Sequence, residues 1–173
     1  MKIIKNKKQA SKFLKIRKNE ILDFYKFSNG DWKYEDEKGF EHLFRFINGE
    51  WIELSKGIKT ELIWSYENGD WSYDDIDKYN HLFRYINNRW VELNKNIKSE
   101  FSHSYENGDW HCKDKNGKAY LFRKINNKWV ELTKDVTAVY VWSFDNGGWG
   151  YKDKMEGIYY LFDENNKLIK KYN

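Results

Sequence analysis

Three residue types with ligand-binding chemistry recur at a fixed spacing along this chain. Trp, Asp and Arg each occupy positions that are 39 residues apart. Indole rings stack on the C–H faces of sugars, whereas carboxylates and guanidinium groups bond to hydroxyls. Repetition of weak sites then raises the overall affinity. The sequence therefore indicates carbohydrate-binding positions at Trp51, Trp90, Trp129, Asp31, Asp70, Asp109, Arg45, Arg84 and Arg123.

A second chemical signal comes from His103, Cys112 and the adjacent His111. A Cys beside a His can form a nucleophile–base pair or part of a metal site. The spacing supplies no third partner, since His42 and His81 lie elsewhere in the sequence. Tandem symmetry also repeats every residue, whereas catalysis needs unlike residues that converge. We therefore expect a non-enzymatic protein without metal or cofactor, in which this pair is a variation of the core.

The regular spacing also predicts how the chain is built. The pattern aromatic-x-Asn-Gly-x-Trp, or a close variant, ends at Trp32, Trp71, Trp110 and Trp149, which are separated by 39 residues each time. Four tandem repeats follow, and neighbouring repeats must stack to bury their faces. Their approximate bounds within a single repeat domain, 21–173, are 21–60, 61–99, 100–138 and 139–173.

Each repeat alternates apolar and polar residues between two turn signals. Asn-Gly and Asn-Asn favour the two-residue type I′ turn of a β-hairpin, so each repeat is predicted to be a four-stranded meander of paired hairpins. In that register His103 faces Cys112. The same register pairs core aromatic residues across each first hairpin, namely Phe27 with Trp32, Tyr66 with Trp71, Tyr105 with Trp110, and Phe144 with Trp149.

The last repeat lacks residues that the first three share. Gly148 and Asp163 stand where the others have Asp and Arg, and this joint loss indicates that Asp and Arg pair with each other. Two interpretations compete. The lost residues either contact a following repeat, as in stacked arrays whose terminal units are atypical, or form ligand sites that the fourth repeat does not have.

The overall class is all-β, and four blades of four strands favour a propeller-like closed array over an open hairpin solenoid. The half-repeats Phe27–Trp32 and Phe46–Trp51 nevertheless resemble the aromatic hairpins of choline- and glucan-binding solenoids, in the motif aromatic-x-Asn-Gly-x-Trp. The glycine-rich tail of those repeats is missing from this sequence. The resemblance therefore implies a hairpin fold and does not transfer their binding pockets.

Residues 1–20 form a basic arm ahead of the repeats. They carry eight basic residues and one acidic residue, whereas 21–173 has a net charge of −3. Ala10, Phe13 and Leu14 predict a short amphipathic helix that Ser11 caps and that runs to about Asn19. The helix either lies against the first repeat or contacts nucleic acid or anionic lipid. Because the repeats are acidic, we expect no nucleic-acid binding except through this arm.

The expected partner is therefore a glycan, and the alternative is a protein bound by the repeat surface together with the basic arm. No apolar run approaches the roughly 18 residues of a transmembrane helix, and no signal peptide is recognisable. The single Cys112 cannot form an internal disulfide, which is compatible with a reducing compartment. These features predict a protein that is cytoplasmic or released without a signal peptide.

Overall fold

The computed structural model describes residues 4–173. They form an all-β structure of sixteen strands in three sheets, with one short α-helix. The chain divides into two compact units, the first ending at Lys78 and the second running from Tyr79 to Asn173. Within the described residues, no helix has the length and apolar character needed to cross a bilayer.

The first unit begins with a helix and continues as antiparallel strands. Strands β1 to β4 pair in sequence order as a meander, and β5 pairs with β6 as a hairpin. The elements are α1 (Lys7–Leu14), a 3-10 helix (Lys18–Glu20), β1 (Ile21–Lys26), β2 (Trp32–Asp36), β3 (Glu41–Ile47), β4 (Glu50–Glu53), β5 (Ile63–Ser65) and β6 (Trp71–Asp74).

The second unit contains antiparallel strands joined in sequence order. Strands β7 and β8 form a hairpin, while β9 to β12 and β13 to β16 form two meanders. Its elements are β7 (Asn80–Ile86), β8 (Arg89–Glu92), β9 (Ser99–Ser104), β10 (Trp110–Asp114), β11 (Ala119–Ile125), β12 (Lys128–Glu131), β13 (Ala138–Ser143), β14 (Trp149–Asp153), β15 (Tyr159–Phe162) and β16 (Leu168–Tyr172).

The turn between β1 and β2 differs from the predicted type I′ turn. The Phe27 N–H donates to the Asp31 carbonyl at 2.9 Å, and the Gly30 N–H donates to the Phe27 carbonyl at 3.1 Å. Gly30 has a φ of +94°, whereas Asn29 keeps a negative φ. This arrangement is a type I turn followed by a glycine bulge, which makes a three-residue loop.

The longer loop shifts the register by one residue. Trp32 lies opposite Lys26 instead of Phe27, and the three equivalent Trp residues lie opposite Ser65, Ser104 and Ser143. The predicted pairings of Phe27 with Trp32, Tyr66 with Trp71, Tyr105 with Trp110 and Phe144 with Trp149 are therefore wrong. Because side chains alternate along a strand, a shift of one residue moves each partner to the opposite face.

The second turn of the meander matches the prediction. Asn48 and Gly49 both have positive φ, as do Asn87 with Asn88 and Asn126 with Asn127. These two-residue turns place Phe46 opposite Trp51, Tyr85 opposite Trp90 and Lys124 opposite Trp129. Between β15 and β16, however, the Asn166 N–H donates to the Asp163 carbonyl and Asn166 alone of the Asn pair has positive φ, so this turn has the longer form.

In each of the three meanders, the buried Trp of the second strand stacks on a Phe of the third strand. The rings of Trp32 and Phe44 are 4.3 Å apart and nearly parallel, and the same stacking joins Trp110 to Phe122 and Trp149 to Phe162. Such pairs contribute about 0.5–1.5 kcal/mol beyond the area that they bury. The aromatic core of each meander is therefore built between its second and third strands, at Trp–Phe pairs.

Helix α1 packs against the first meander, as one interpretation of the basic arm predicted. Ala10 is buried in a cluster with Ile21, Trp32 and Phe44, and the Phe13 ring meets the Trp32 ring edge-on. The predicted helix bounds are wrong. The cap is Asn6, whose side chain accepts from the Gln9 N–H, and the helix ends before Lys15 in the left-handed region.

His42 forms a pH-sensitive contact within the first meander. Its Nδ1 lies 2.8 Å from Glu53 Oε1, and its Nε2 lies 3.3 Å from Asp36 Oδ2. The Glu53 hydrogen bond, supported by Asp36, raises the pKa of His42 above its ordinary value of 6.5. The imidazolium form is therefore favoured in the folded state.

We predict that His42→Gln destabilises the first meander more at pH 5.5 than at pH 8.5. A raised pKa in the folded state gives stability that is fully present below the unfolded pKa and lost as pH rises through the folded pKa. Urea unfolding of wild type and variant at both pH values measures this difference. His103→Gln is the control of opposite sign, because burial lowers the pKa of His103. An equal loss at both pH values for His42→Gln would contradict the assignment.

Candidate functional site

Asp31 and Arg45 form a buried ion pair between the first turn and strand β3. The Arg45 Nε lies 3.0 Å from both Asp31 oxygens, and the Arg45 Nη2 lies 2.5 Å from Oδ2. Asp31 is only 3% exposed. The Asn29 side chain accepts from the Asp31 N–H at 3.0 Å, which fixes the turn that presents the carboxylate. The predicted pairing of Asp with Arg is confirmed here.

The same pair binds the hairpin that follows in the chain. Ser65 Oγ, at the end of β5, donates to Asp31 Oδ2 at 2.6 Å. The Asn29 amide donates to Ser65 Oγ and to the Tyr66 carbonyl, both at 2.7 Å. Arg45 Nη1 donates to the Gly69 carbonyl in the turn between β5 and β6. Asp31 and Arg45 therefore connect the first meander to the β5–β6 hairpin. We call this ion pair, together with its bonds to the following hairpin, the connector.

The second unit repeats this connector. Arg123 Nε lies 3.1 Å from both oxygens of Asp109, and Ser143 Oγ donates to Asp109 Oδ2 at 2.5 Å. The Asn107 amide donates to Ser143 Oγ and to the Phe144 carbonyl, both at 2.8 Å. The β9–β12 meander is thus joined to β13 by the bonds that join the first meander to β5.

Arg84 takes the same role from strand β7. Its Nη1 donates to the Gly108 carbonyl at 2.8 Å and its Nη2 donates to Ser104 Oγ at 3.1 Å. Its guanidinium group also lies over the Trp129 ring, 5.2 Å from the centroid. Arg84 therefore holds the turn between β9 and β10 and supports one of the predicted Trp positions.

These bonds favour the structural interpretation of the residues that the last repeat lacks. Asp31 and Asp109 are buried and their carboxylates are engaged by Arg, Ser and Asn, so they position the connector instead of facing solvent. Asp70, the third predicted acidic site residue, is also buried. The Trp positions are more accessible, since Trp51, Trp90 and Trp129 are each half-buried.

One set of predicted site residues lines a cleft in the first unit. This space, which we call the Trp51 cleft, has a volume of about 500 Å³. Phe46 and Trp51 form its aromatic wall, with ring centroids 5.3 Å apart. The cleft also brings together groups from both turns and the connector, namely Lys26, Asn29, Gly30, Asp31, Arg45, Glu67, Asn68 and Gly69.

The burial of the predicted core aromatics differs from residue to residue. Phe144 is 45% exposed, so its assignment to the core is wrong, and Tyr105 is half-buried. Phe144 lies outside the strands, at the first position of the turn between β13 and β14. The remaining members of the predicted set are buried, namely Phe27, Trp32, Tyr66, Trp71, Trp110 and Trp149.

Sequence reasoning missed a second group of aromatic side chains on the first strands. Tyr25 and Trp64 are each about half exposed, and the buried Phe27 ring lies between them, 4.8 Å from Tyr25 and 5.6 Å from Trp64. The predicted register was wrong by one residue, so it did not indicate that Tyr25 and Trp64 are exposed. The sequence signal for this arrangement is the Gly of the first turn. A type I turn followed by Gly forms a three-residue loop, and that loop shifts the register by one residue.

The His103–Cys112 contact predicted from the sequence does not form across the hairpin. His103 lies opposite His111, and Cys112 lies opposite Ser102. Cys112 is fully buried, and this burial raises the pKa of its thiol to about 12. Because the thiolate is the reactive form, such a thiol is a poor nucleophile and a poor metal ligand. Within residues 4–173, no group of three or more His, Cys, Asp and Glu side chains is arranged to hold a metal ion.

No protein-family model and no curated protein match the chain. It is similar to YCF48 bound to D1 peptide (11% identity, TM-score 0.46, 88% of this chain and 53% of that one). It is also similar to a Bacteroides caccae protein of unknown function (14% identity, TM-score 0.40, 85% of this chain and 64% of that one). A third similar structure is a mutant of the Aleuria aurantia lectin AAL in complex with Fucα1-6GlcNAc (13% identity, TM-score 0.34, 89% of this chain and 63% of that one). The chain thus spans less than two thirds of each of these structures.

We predict that Arg45→Met destabilises the protein by about 3 kcal/mol, because it leaves the Asp31 carboxylate buried without its cation. Adding Asp31→Asn to this variant removes the charge and restores part of the loss. Urea denaturation curves of the two variants measure both changes. Glu61→Gln is the matched control, since it breaks the exposed ion pair with Lys78 and should leave the midpoint unchanged. A loss no larger than that of Glu61→Gln would show that the connector is not energetically important.

Proposed function

We propose that this chain is a non-enzymatic, multivalent binding module that recognises carbohydrate. The observation that supports the proposal is the Trp51 cleft, in which an aromatic wall faces planar polar side chains. Sugars present both apolar C–H faces and hydroxyl groups, so a site for them needs both kinds of surface. The volume of about 500 Å³ lies within the range of small-molecule sites.

In this proposal the Trp51 and Phe46 rings supply the stacking surface. The polar partners for hydroxyls are Glu67 and Asn68, which are exposed, and the guanidinium group of Arg45. Asp31 serves the site indirectly, because its carboxylate holds the Arg45 fork in place. The predicted acidic residues thus become positioning residues, while the Trp and Arg positions keep their proposed contact with the ligand.

Multivalency follows in this proposal from the recurrence of the same residues. Trp90 with Arg84 and Trp129 with Arg123 would form further sites, each weak alone and stronger together. We propose that four meanders of about 39 residues carry them in a propeller-like array. Such an arrangement would present the sites at fixed separations, which suits a polymeric or branched glycan.

A protein ligand is the second candidate, and the exposed aromatic side chains of the first strands favour it. Tyr25 and Trp64 lie on either side of the Phe27 ring on the surface of the first unit. Tyr and Trp are enriched where proteins contact partners, because each buries a large area at a small entropic cost. In this second proposal the repeat domain is a scaffold that binds a peptide or the surface of a protein.

We predict that Trp51→Ala weakens glycan binding roughly tenfold, which corresponds to the loss of about 1.4 kcal/mol of stacking. Titration of a mixed panel of oligosaccharides, followed by intrinsic Trp fluorescence and calorimetry, first identifies the glycan and then compares the variants. Trp51→Phe should keep most of the affinity, because it keeps an aromatic face.

Trp64→Ala is the matched control, since it removes an exposed Trp of the same unit that does not line the cleft. It should bind glycan as the wild type does. Loss of binding in Trp64→Ala with retention in Trp51→Ala would move the site to the first strands. Absence of binding to every glycan, together with capture of a peptide that depends on Trp64, would replace the carbohydrate proposal by the scaffold.

A further inference from the structure

The second unit contains a cavity of about 600 Å³ that the Trp51 cleft does not include. It lies between strands β9 and β10 on one side and β13 on the other. Phe101 and Tyr140 are more than half exposed at this cavity, and Trp142 lies beside them. The imidazoles of His103 and His111 complete an almost continuous aromatic lining. Such a lining suits a planar aromatic body.

The corresponding place in the first unit is filled by an ion pair. Lys33 Nζ lies 2.6 Å from Glu41 Oε1 and donates to the Ile63 carbonyl at 3.1 Å. The Ile63 N–H in turn donates to the other Glu41 oxygen at 2.5 Å. The Glu41 carboxylate therefore accepts from an ammonium group and from the outward-facing backbone of strand β5.

The second unit has lost this carboxylate. The residues 78 positions after Lys33, Glu41 and Ile63 are His111, Ala119 and Val141, and all three line the cavity. Ala119 ends at its methyl group, so it cannot reach the backbone of β13. At the intermediate position, Asn80 still accepts a hydrogen bond from Ser102 Oγ. From Glu41 through Asn80 to Ala119, this position therefore loses the side-chain group that bonds to the following strand.

The backbone of Val141 is left facing the cavity. The Phe144 N–H donates to the Gly148 carbonyl, which fixes the pattern of bonds between β13 and β14. Hydrogen-bonded and non-hydrogen-bonded residue pairs alternate along antiparallel strands, so Val141 and Tyr151 form a non-hydrogen-bonded pair. The Val141 N–H and C=O therefore point away from β14, and β13 is the edge strand of its sheet. The carbonyl accepts from Tyr105 Oη at 3.4 Å, whereas no described residue accepts from the N–H.

The charge of the lining favours an anionic ligand. Lys113 is the single charged side chain that lines this cavity among the described residues, and it forms no ion pair with any of them. Burial lowers the pKa of His111 to about 3 and also lowers that of His103, so both imidazoles are neutral near pH 7. The Lys113 ammonium group and the Val141 N–H at this cavity therefore both lack a hydrogen-bond acceptor, which an anionic ligand would supply.

We propose that this cavity binds a planar aromatic carboxylate. The carboxylate of the ligand takes the place that the Glu41 side chain holds in the first unit and accepts from the Val141 N–H, with Lys113 as its counter-ion. The aromatic body lies against Phe101, Tyr140 and Trp142. The site is separate from the Trp51 cleft and does not rest on the proposed carbohydrate function.

Titration of the full chain with 2-naphthoate tests the charge requirement. Neutral 2-naphthylmethanol and cationic 2-naphthylmethylammonium have the same ring and serve as matched ligands. We expect naphthoate to bind at least tenfold more tightly than the alcohol, and the ammonium compound to bind more weakly than either. Equal affinities for the three compounds, or no binding of naphthoate, would overturn the proposal.

Variants then locate the site. Lys113→Gln should reduce the preference for naphthoate over the alcohol, whereas Lys152→Gln should not. Lys152 lies 39 positions later, and its ammonium group lies over the Tyr159 ring. Unchanged preference in Lys113→Gln, or an equal reduction in Lys152→Gln, would contradict the assignment.

Ala119→Glu supplies the missing carboxylate from the chain itself and should abolish naphthoate binding. Because Ala119 is buried and a Glu at this position also burdens folding, Val139→Trp provides a second test. Val139 is partly exposed in the cavity lining, and a Trp there blocks the space without entering the core. Circular dichroism establishes that each variant is folded. Wild-type naphthoate affinity in either folded variant would overturn the site.

Discussion

The buried Asp–Arg pair is the interaction on which the architecture depends. A carboxylate as buried as Asp31 is costly unless it is paired and fully hydrogen-bonded. Here Arg45 supplies the paired charge, while the Ser65 hydroxyl and the Asn29 amide donate the remaining bonds to the carboxylate. One network therefore sets the conformation of the first turn, the orientation of β3 and the attachment of the next hairpin. The same bonds recur around Asp109, where they attach β13.

The same dipeptide forms two different turns in this structure. Asn29-Gly30 belongs to a three-residue loop, whereas Asn48-Gly49 forms a two-residue loop with both residues at positive φ. The Asn29 side chain bonds to the Asp31 N–H and to the following hairpin, and these bonds hold Asn29 at negative φ. Among residues 4–173, no side-chain bond of this kind acts on Asn48. The Asn146-Gly147 turn has the same three-residue form with only the local bond from the Gly148 N–H to the Asn146 side chain. The longer loop, and with it the register, therefore accompanies this local bond and does not require a contact with a following hairpin.

The strands and the positions of both turns could be predicted from the sequence, because alternating residues and Asn-Gly or Asn-Asn pairs are strong local signals. The joint loss of Asp and Arg from the last repeat also predicted their pairing, since charged partners are retained or lost together. The register of the first hairpins was predicted wrongly, because the Asn side chain accepts from the N–H two residues later and forms a three-residue loop, whereas an Asn-Gly pair by itself favours the two-residue type I′ turn. The same error hid the exposure of Tyr25 and Trp64. Three residues that line the Trp51 cleft, Asp31, Arg45 and Trp51, were among the predicted ligand positions, whereas the other lining residues and the burial of Asp31 were not predicted.

The contact between a meander and the strand that follows it, which we call a joint, relates the structure to the proposed ligand binding. At one joint position, Glu41 and Asn80 bond to the next strand, whereas the methyl group of Ala119 leaves a cavity and an N–H without an acceptor. A joint that loses its internal carboxylate is weaker, but its cavity keeps a backbone N–H to which a carboxylate can bond. A ligand that carries such a group recovers the lost bonds when it binds. Repetition of the connector makes this exchange tolerable, because the Asp109–Arg123 pair still holds β13 to its neighbour.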